Sequence, residues 1–377
     1  MVWHPSYREG EQIADLLRTH PGRDLYRGVG EERAVSVLER SQPVPDTPTP
    51  LPIDWDDTEL TAVVVLAETF LIEDRDGVEY VRAIAETARG RGLPAGFFPV
   101  TMDNRGLGLG VVQQALRWDR WGASDADPAR RLISDLTHEF CRMLRHRLGQ
   151  LRPAGGENDA LGRYLDRIRV FISHSKHDGE SVGDSIRDWV RVHSPLDRFF
   201  DVYDIPPGLS FGDVLLHEIG AGALLAVHTA SYSSREWCRR EIIEAKRRLV
   251  PMIVVDCVRD ADPRSMPYLG NVPVVRMDPD STDRIGAVAG CLLDEVFRSW
   301  LWLCRIGPYI ANSPGVLFTP RPPELIALSA VPSCGEDSVQ AIVYPEPLMA
   351  ADDERLFREI APGVRVQTLT DWLEERR

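Results

Sequence analysis

The sequence predicts an α/β fold, a parallel sheet with helices on both faces, in two tandem copies followed by a small α/β extension. Three observations carry this. From residue 168 onward, apolar strand runs alternate strictly with amphipathic helical stretches, the pattern that builds parallel sheets. The runs are short and apolar throughout, as strands buried on both faces are. The same order of elements recurs in the first half, in arrangement rather than in identity.

In the first half, Met1–Trp3 reads as a short strand. A turn follows in which Ser6 and Glu9 have capping-box spacing, then a helix carrying Ile13, Leu16 and Leu17. Val35–Glu39, Thr61–Leu66 and Phe97–Met102 read as strands, with the helix Val78–Arg89 between the last two. Arg130–Arg147 mirrors, in place and character, the terminal helix of the second half. Gln150–Asp159, rich in Gly and Pro, is the hinge. Beyond it, strands are expected at Ile168–Ser173, Arg198–Val202, Ala223–His228, Pro251–Cys257 and Val272–Met277. Between them run helices through Val182, Ile186, Trp189 and Val190, through Leu215, Leu216 and Ile219, and over Ser234–Leu249, with Arg284–Arg305 last. The tail adds strands Val339–Tyr344 and Val364–Thr368 around a helix near Asp352–Ile360. The expected domains are 1–149, 168–305 and 306–377, with 150–167 as linker.

Bulk composition excludes several classes. The formal charge of -14 over 377 residues repels phosphate backbones and anionic membranes, so neither nucleic acid nor membrane is an expected partner. The densest basic cluster, Arg239, Arg240, Lys246, Arg247 and Arg248, is interleaved with Glu241 and Glu244 and reads as a solvated helix face. Six cysteines lie far apart without a C-x-x-C pair, which indicates neither a zinc site nor a disulfide framework. The opening MVWHPSYREGEQ lacks the pattern of a secretory signal, and the best apolar run, Leu60–Ile72, is too short for a bilayer. A cytoplasmic protein is the expectation.

Chemistry concentrates in three blocks of the second half. The first is Val170-Phe-Ile-Ser-His-Ser175 followed by Asp178. The second runs from Phe200-Asp201 to Asp204-Ile-Pro-Pro-Gly208-Leu-Ser-Phe211, and the third is Ser231-Tyr-Ser-Ser234 with Trp237-Cys-Arg-Arg-Glu241. In order and spacing these resemble bacterial TIR domains. The first block is similar to the family's opening strand and loop, the second to its mobile "BB loop", and the third to its Trp-x-x-x-Glu signature. The resemblance implies a flavodoxin-like TIR fold for 168–305 and more weakly for 1–148. It also implies cleavage of NAD⁺, as substrate rather than cofactor, to nicotinamide and ADP-ribose or a cyclised form. Glu241 would be the catalytic carboxylate, with Ser173, His174, Ser175, Gly208, Phe211 and Trp237 at the substrate and no metal. TIR–TIR self-association, an activating partner protein or ligand, and a role in antiphage immunity are further implications.

The residues also have their own reading. Four apart on a helix, Trp237 and Glu241 have Cβ atoms about 5–6 Å apart. A carboxylate beside the scissile nicotinamide–ribose bond can stabilise an oxocarbenium-like centre, while the cationic leaving group needs no acid. The competing reading makes Glu241 an exposed acid paired with Lys246 or Arg247, and Trp237 a core residue. Ser173, His174 and Ser175 either receive phosphate and ribose oxygens or cap the next helix, and Asp178 reads as an N-cap. In the first half, the position matching Glu241 falls on Val81 or Arg82 within GVEYVR, and the loop matching the lid is the proline-stiffened Gln42–Ile53. That copy reads as degenerate. Gly106-Leu-Gly-Leu-Gly110 reads as a flexible loop, since it lacks the third glycine of a dinucleotide fingerprint. The rival to the enzyme is a non-enzymatic TIR scaffold, and a nucleoside N-glycosidase acting on another base is a third option.

Overall fold

Two β-branched, apolar runs, Thr61–Ala67 and Ala95–Thr101, pair in parallel as β1 and β2 in the computed structural model. It describes residues 1–20, 35–45, 47–121, 127–151, 160–165, 168–194, 196–200, 222–259, 267–330 and 339–376. Described residues up to 165 form one compact unit and those from 168 a second. In the first, Val2 bridges in parallel to Val65 on one side and Arg40 on the other, and Val100 bridges to Leu116. Counting these contacts as strands in chain order gives 2-1-3-4-5. Helices α1 (Glu9–Thr19), α2 (Thr69–Glu73), α3 (Arg75–Arg91), α4 (Trp118–Trp121), α5 (Pro128–Leu151) and α6 (Ala160–Leu165) complete the unit. The expected capping box is absent: α1 begins after Arg8 without a side-chain cap, and the Tyr7 hydroxyl donates to Glu9 at 2.8 Å. Glu9 is thereby drawn away from the backbone that a capping box would satisfy.

Side chains of this unit fill the carboxyl edge of its sheet. Glu68 accepts from the Phe70 and Leu71 amides at 2.6 and 3.1 Å, which starts α2. Asp103 accepts from the Thr69 amide and hydroxyl, both at 2.8 Å. The glycine-rich stretch is a 3-10 turn, Gly106–Leu109, and a Cβ on Gly106 would lie 2.2 Å from the Ala67 carbonyl oxygen. Its first glycine therefore allows two backbones to touch. In α3 the buried positions Gly77, Val81, Ile84 and Ala85 repeat the spacing of Cys238, Ile242, Ala245 and Lys246 in the second unit. Counted on that spacing, Tyr80 holds the place in α3 that Glu241 holds in its own helix. The Tyr80 hydroxyl donates to the Leu51 carbonyl at 2.8 Å.

The second unit is built on strands β3 (Arg169–His174), β4 (Asp197–Phe200), β5 (Gly222–His228), β6 (Met252–Asp256) and β7 (Val274–Arg276). They form one parallel sheet of order β4-β3-β5-β6-β7, again 2-1-3-4-5 in chain order. All seven residues of β5 (GALLAVH) are buried, as its central place requires. Helix α7 (Glu180–His193) and helix α8 (Glu236–Arg247) follow β3 and β5. The apolar stripe of α8 (Cys238, Ile242, Ala245) packs on Phe171, Leu224, Ala226, Met252 and Val254. Strand alternation turns Leu225 and Val227 to the other face. Helix α9 (Ile285–Ile310) contacts β5, β6 and β7 as well as α7.

Helix α9 runs past the expected boundary at residue 305. Its distal residues Trp302 and Ile306 share a core with Phe318, Val343, Leu369 and Trp372 of the extension. There β8 (Val316–Phe318), β9 (Ala341–Tyr344) and β10 (Arg365–Thr368) form a second parallel sheet with α10 (Ala351–Ile360) and α11 (Leu369–Glu374). An ionic seam ties this extension to α8 and α9. The Lys246 ammonium, its side chain 6% exposed, donates to the Gly270 carbonyl at 2.5 Å and pairs with Glu324. Glu295 of α9 pairs with Arg321. Lys246 is thus no part of a solvated face: its aliphatic stem fills the stripe, and its charge is met 78 residues downstream.

Candidate functional site

In the order β4-β3-β5, chain direction through the sheet reverses between β3 and β5, the crevice where parallel α/β sheets hold ligands. His174 stands beside Val227 in the register, so the loops leaving the two strands emerge together. They are knitted by hydroxyls. Ser173 Oγ lies 2.6 Å from Tyr232 Oη, and Ser175 Oγ lies 2.6 Å from Ser231 Oγ. The His177 amide donates to Ser175 Oγ at 3.3 Å, and Ser231 Oγ donates to Asp178. Ser175 and Ser231 thus both bring their hydroxyls to the Asp178 carboxylate.

Asp178 is not the N-cap expected of it. Gly179 holds that place, and Asp178 instead accepts from Thr229 Oγ1 at 2.7 Å and from the Ser231 amide at 2.9 Å. Burial raises its pKa, but the hydrogen bonds from Ser231 and Thr229 outweigh this and hold it below the ordinary carboxylate range. A depressed folded pKa stabilises the fold above the unfolded value near ~3.9, and this contribution is lost as pH falls through the folded value. Asp178→Asn is therefore expected to lower stability by about 2 kcal/mol at pH 7. Urea unfolding at pH 7 and pH 3 checks this, with the difference from the parent shrinking at the lower pH.

Helix α8 supplies the acid. Its buried positions Cys238, Glu241, Ile242, Ala245 and Lys246 form one continuous helical stripe, and Glu241 within it is only 2% exposed. Carboxylates are rarely so deep. Burial first, and the field of Glu241 second, push the Cys238 thiol up to about 12 and the Tyr232 phenol well above its ordinary value. Glu241 thus sits electrostatically against the Ser173–Tyr232 pair, and Cys238 Sγ lies 3.5 Å from the His174 carbonyl. Trp237 lies at a different depth, 59% exposed, with the Arg240 guanidinium 5.4 Å from its ring centre. The reading of an exposed Glu241 beside a core Trp237 is reversed in both members.

A second arrangement, absent from the sequence reading, lies toward β6. His228 Nδ1 is 3.3 Å from Asp256 Oδ1, and His228 Nε2 is 3.4 Å from Ser233 Oγ. A histidine closing one strand and an aspartate closing the next was the legible signal, since neighbouring parallel strands bring their last residues together.

Residues 170–287 match the TIR domain family model. The matched span runs from β3 into α9; within it Ser173, His174 and Ser175 lie at and just after the end of β3, and Trp237 and Glu241 lie on α8. Gly208 and Phe211, with the expected lid 203–211 and the helix through Leu215, Leu216 and Ile219, lie outside the described residues. Neither the curated proteins nor the solved structures give a match. Within the TIR segment Ser173 and Ser175 are fully enclosed, their hydroxyls committed to Tyr232 and Ser231. Among the described residues no helix is long and apolar enough to cross a membrane, and no cluster of metal-binding side chains occurs.

Proposed function

We propose that the TIR segment is an NAD⁺ glycohydrolase with Glu241 as its catalytic carboxylate, an effector of antiphage defence working in the cytoplasm. One observation carries the reading: a carboxylate 2% exposed, in a buried stripe with Cys238, Ile242 and Ala245, at the helix that borders the switch-point crevice. A buried acid beside the crevice suits a reaction that develops positive charge at the ribose. Ser173 and Ser175 then act by fixing the 229–234 turn, and Trp237 by covering substrate or a neighbouring chain. The family includes NAD-cleaving enzymes, which supports the reading from outside the geometry. The first unit is, on this proposal, a degenerate relative with the same strand order and Tyr80 in place of the acid.

The second reading is a scaffold that works through TIR–TIR contacts. The exposed Trp237–Arg240 pair favours it, because tryptophan and arginine concentrate at the energetic centres of interfaces. Both readings meet in an enzyme switched on by self-association, and nicotinamide release measured across a wide dilution series tests them together. Specific activity is expected to rise steeply with protein concentration. Concentrated protein that releases no nicotinamide would leave the scaffold, and constant specific activity from a monomeric sample would remove assembly control.

A further inference from the structure

We infer that Ser233, His228 and Asp256 form a second reactive centre, a hydroxyl nucleophile with its general base, suited to small carboxylic esters. It rests on none of the NAD⁺ chemistry proposed above. The three residues come together through the sheet. His228 ends β5, Asp256 ends β6 directly opposite it in the register, and Ser233 lies in the 3-10 turn Tyr232–Ser234. Asp256 Oδ1 is 3.3 Å from His228 Nδ1, and its other oxygen is 3.4 Å from the Arg276 guanidinium. A carboxylate so placed holds the proton on Nδ1 and turns the Nε2 lone pair toward Ser233 Oγ at 3.4 Å. Tyr232 packs edge-on to the imidazole, with ring centres 6.0 Å apart, and fixes its plane.

The order of burial fits a nucleophile. His228 and Asp256 are largely enclosed, whereas Ser233 is only half-buried and meets solvent. Helix α8 starts three residues later with no side-chain cap from Arg235. Its first-turn amides have no intrahelical acceptors and carry the positive end of the helix dipole. They follow the serine closely in the chain. The distances are at the long end for a working pair, as unliganded sites commonly are.

The chemistry balances within these groups. Ser233 Oγ attacks the ester carbonyl carbon as its proton passes to His228 Nε2. The tetrahedral intermediate collapses, the C–O bond to the alcohol breaks, and the alcohol leaves with the proton from Nε2. Water then attacks the acyl-serine, with Nε2 again taking and returning the proton, and the carboxylic acid departs.

The test treats the full chain with diisopropyl fluorophosphate and maps the adduct by peptide mass, alongside release of p-nitrophenol from its acetate ester. One adduct on Ser233 is expected. Ser233→Ala is expected to remove both the adduct and the ester cleavage. His228→Gln and Asp256→Asn are each expected to slow labelling about 100-fold. The proposal is overturned if the folded parent carries no adduct on Ser233. It is equally overturned if His228→Gln labels Ser233 at the parental rate, because the serine would then be an ordinary surface hydroxyl.

Discussion

Glu241→Gln is expected to abolish NAD⁺ cleavage, lowering kcat by about 1000-fold or more while the protein stays folded. The amide keeps the shape of the side chain, so the α8 stripe of Cys238, Ile242 and Ala245 keeps its packing against Phe171 and Leu224. What is lost is the negative charge that faces the developing oxocarbenium centre. A second readout is internal. With the charge removed, the Cys238 thiol loses one of the two influences that raise it to about 12, and its alkylation midpoint moves toward the ordinary range. A folded Glu241→Gln protein that turns over NAD⁺ at the parental rate would remove the assignment.

The largest stability effect is expected at Arg321. Glu295 is 3% exposed on α9 and pairs with Arg321, while Arg298 is 3.9 Å away on the same helix. Arg321→Met leaves that carboxylate buried without its main partner, and breaking such pairs costs about 3–5 kcal/mol. The pH dependence follows from the sign of the existing shift. Burial raises the Glu295 pKa further than Arg321 lowers it, so the folded state already binds this proton more tightly than the unfolded chain. Ionisation therefore costs stability as pH rises from the unfolded value through the folded one. Without Arg321 the folded pKa climbs higher, and the penalty of the substitution is expected to be largest at pH 7–8 and to shrink toward pH 5. Denaturant unfolding across that range measures it, and a penalty independent of pH would show that lost packing rather than charge is responsible.

What was legible in the sequence followed local rules. Uninterrupted apolar runs such as Gly222–His228 announce central parallel strands, and the i, i+4, i+7 and i+8 apolar spacing of Val182, Ile186, Trp189 and Val190 announces α7. What was misread has its cause far along the chain. Lys246 reads as solvated because Glu324 is 78 residues away, and Asp178 reads as a cap because Thr229 and Ser231 are more than 50 residues away. The depth of Glu241 was undecided by spacing, since an acid four residues after a tryptophan fits an exposed face as well as a buried one. β8 escaped notice because three residues, Val316–Phe318, are too few for a periodic signal. The His228–Asp256 contact needed the strand order, which the sequence does not state.

Helix α9 gives the second unit an indivisibility that the family match does not convey. Its near end lies on the TIR sheet, and its far end is the floor of the next sheet, through Trp302 and Ile306. A protein trimmed at residue 287 would lose most of that rod, and one trimmed at 305 would present a bare tryptophan-lined end to water. The stretch that matches the family is therefore shorter than the stretch that shares this helix. Mechanical strain or a protease cut in the extension would be felt along a rigid rod of about 39 Å, at the sheet that carries the crevice. The extension belongs to the chassis on which the crevice is mounted.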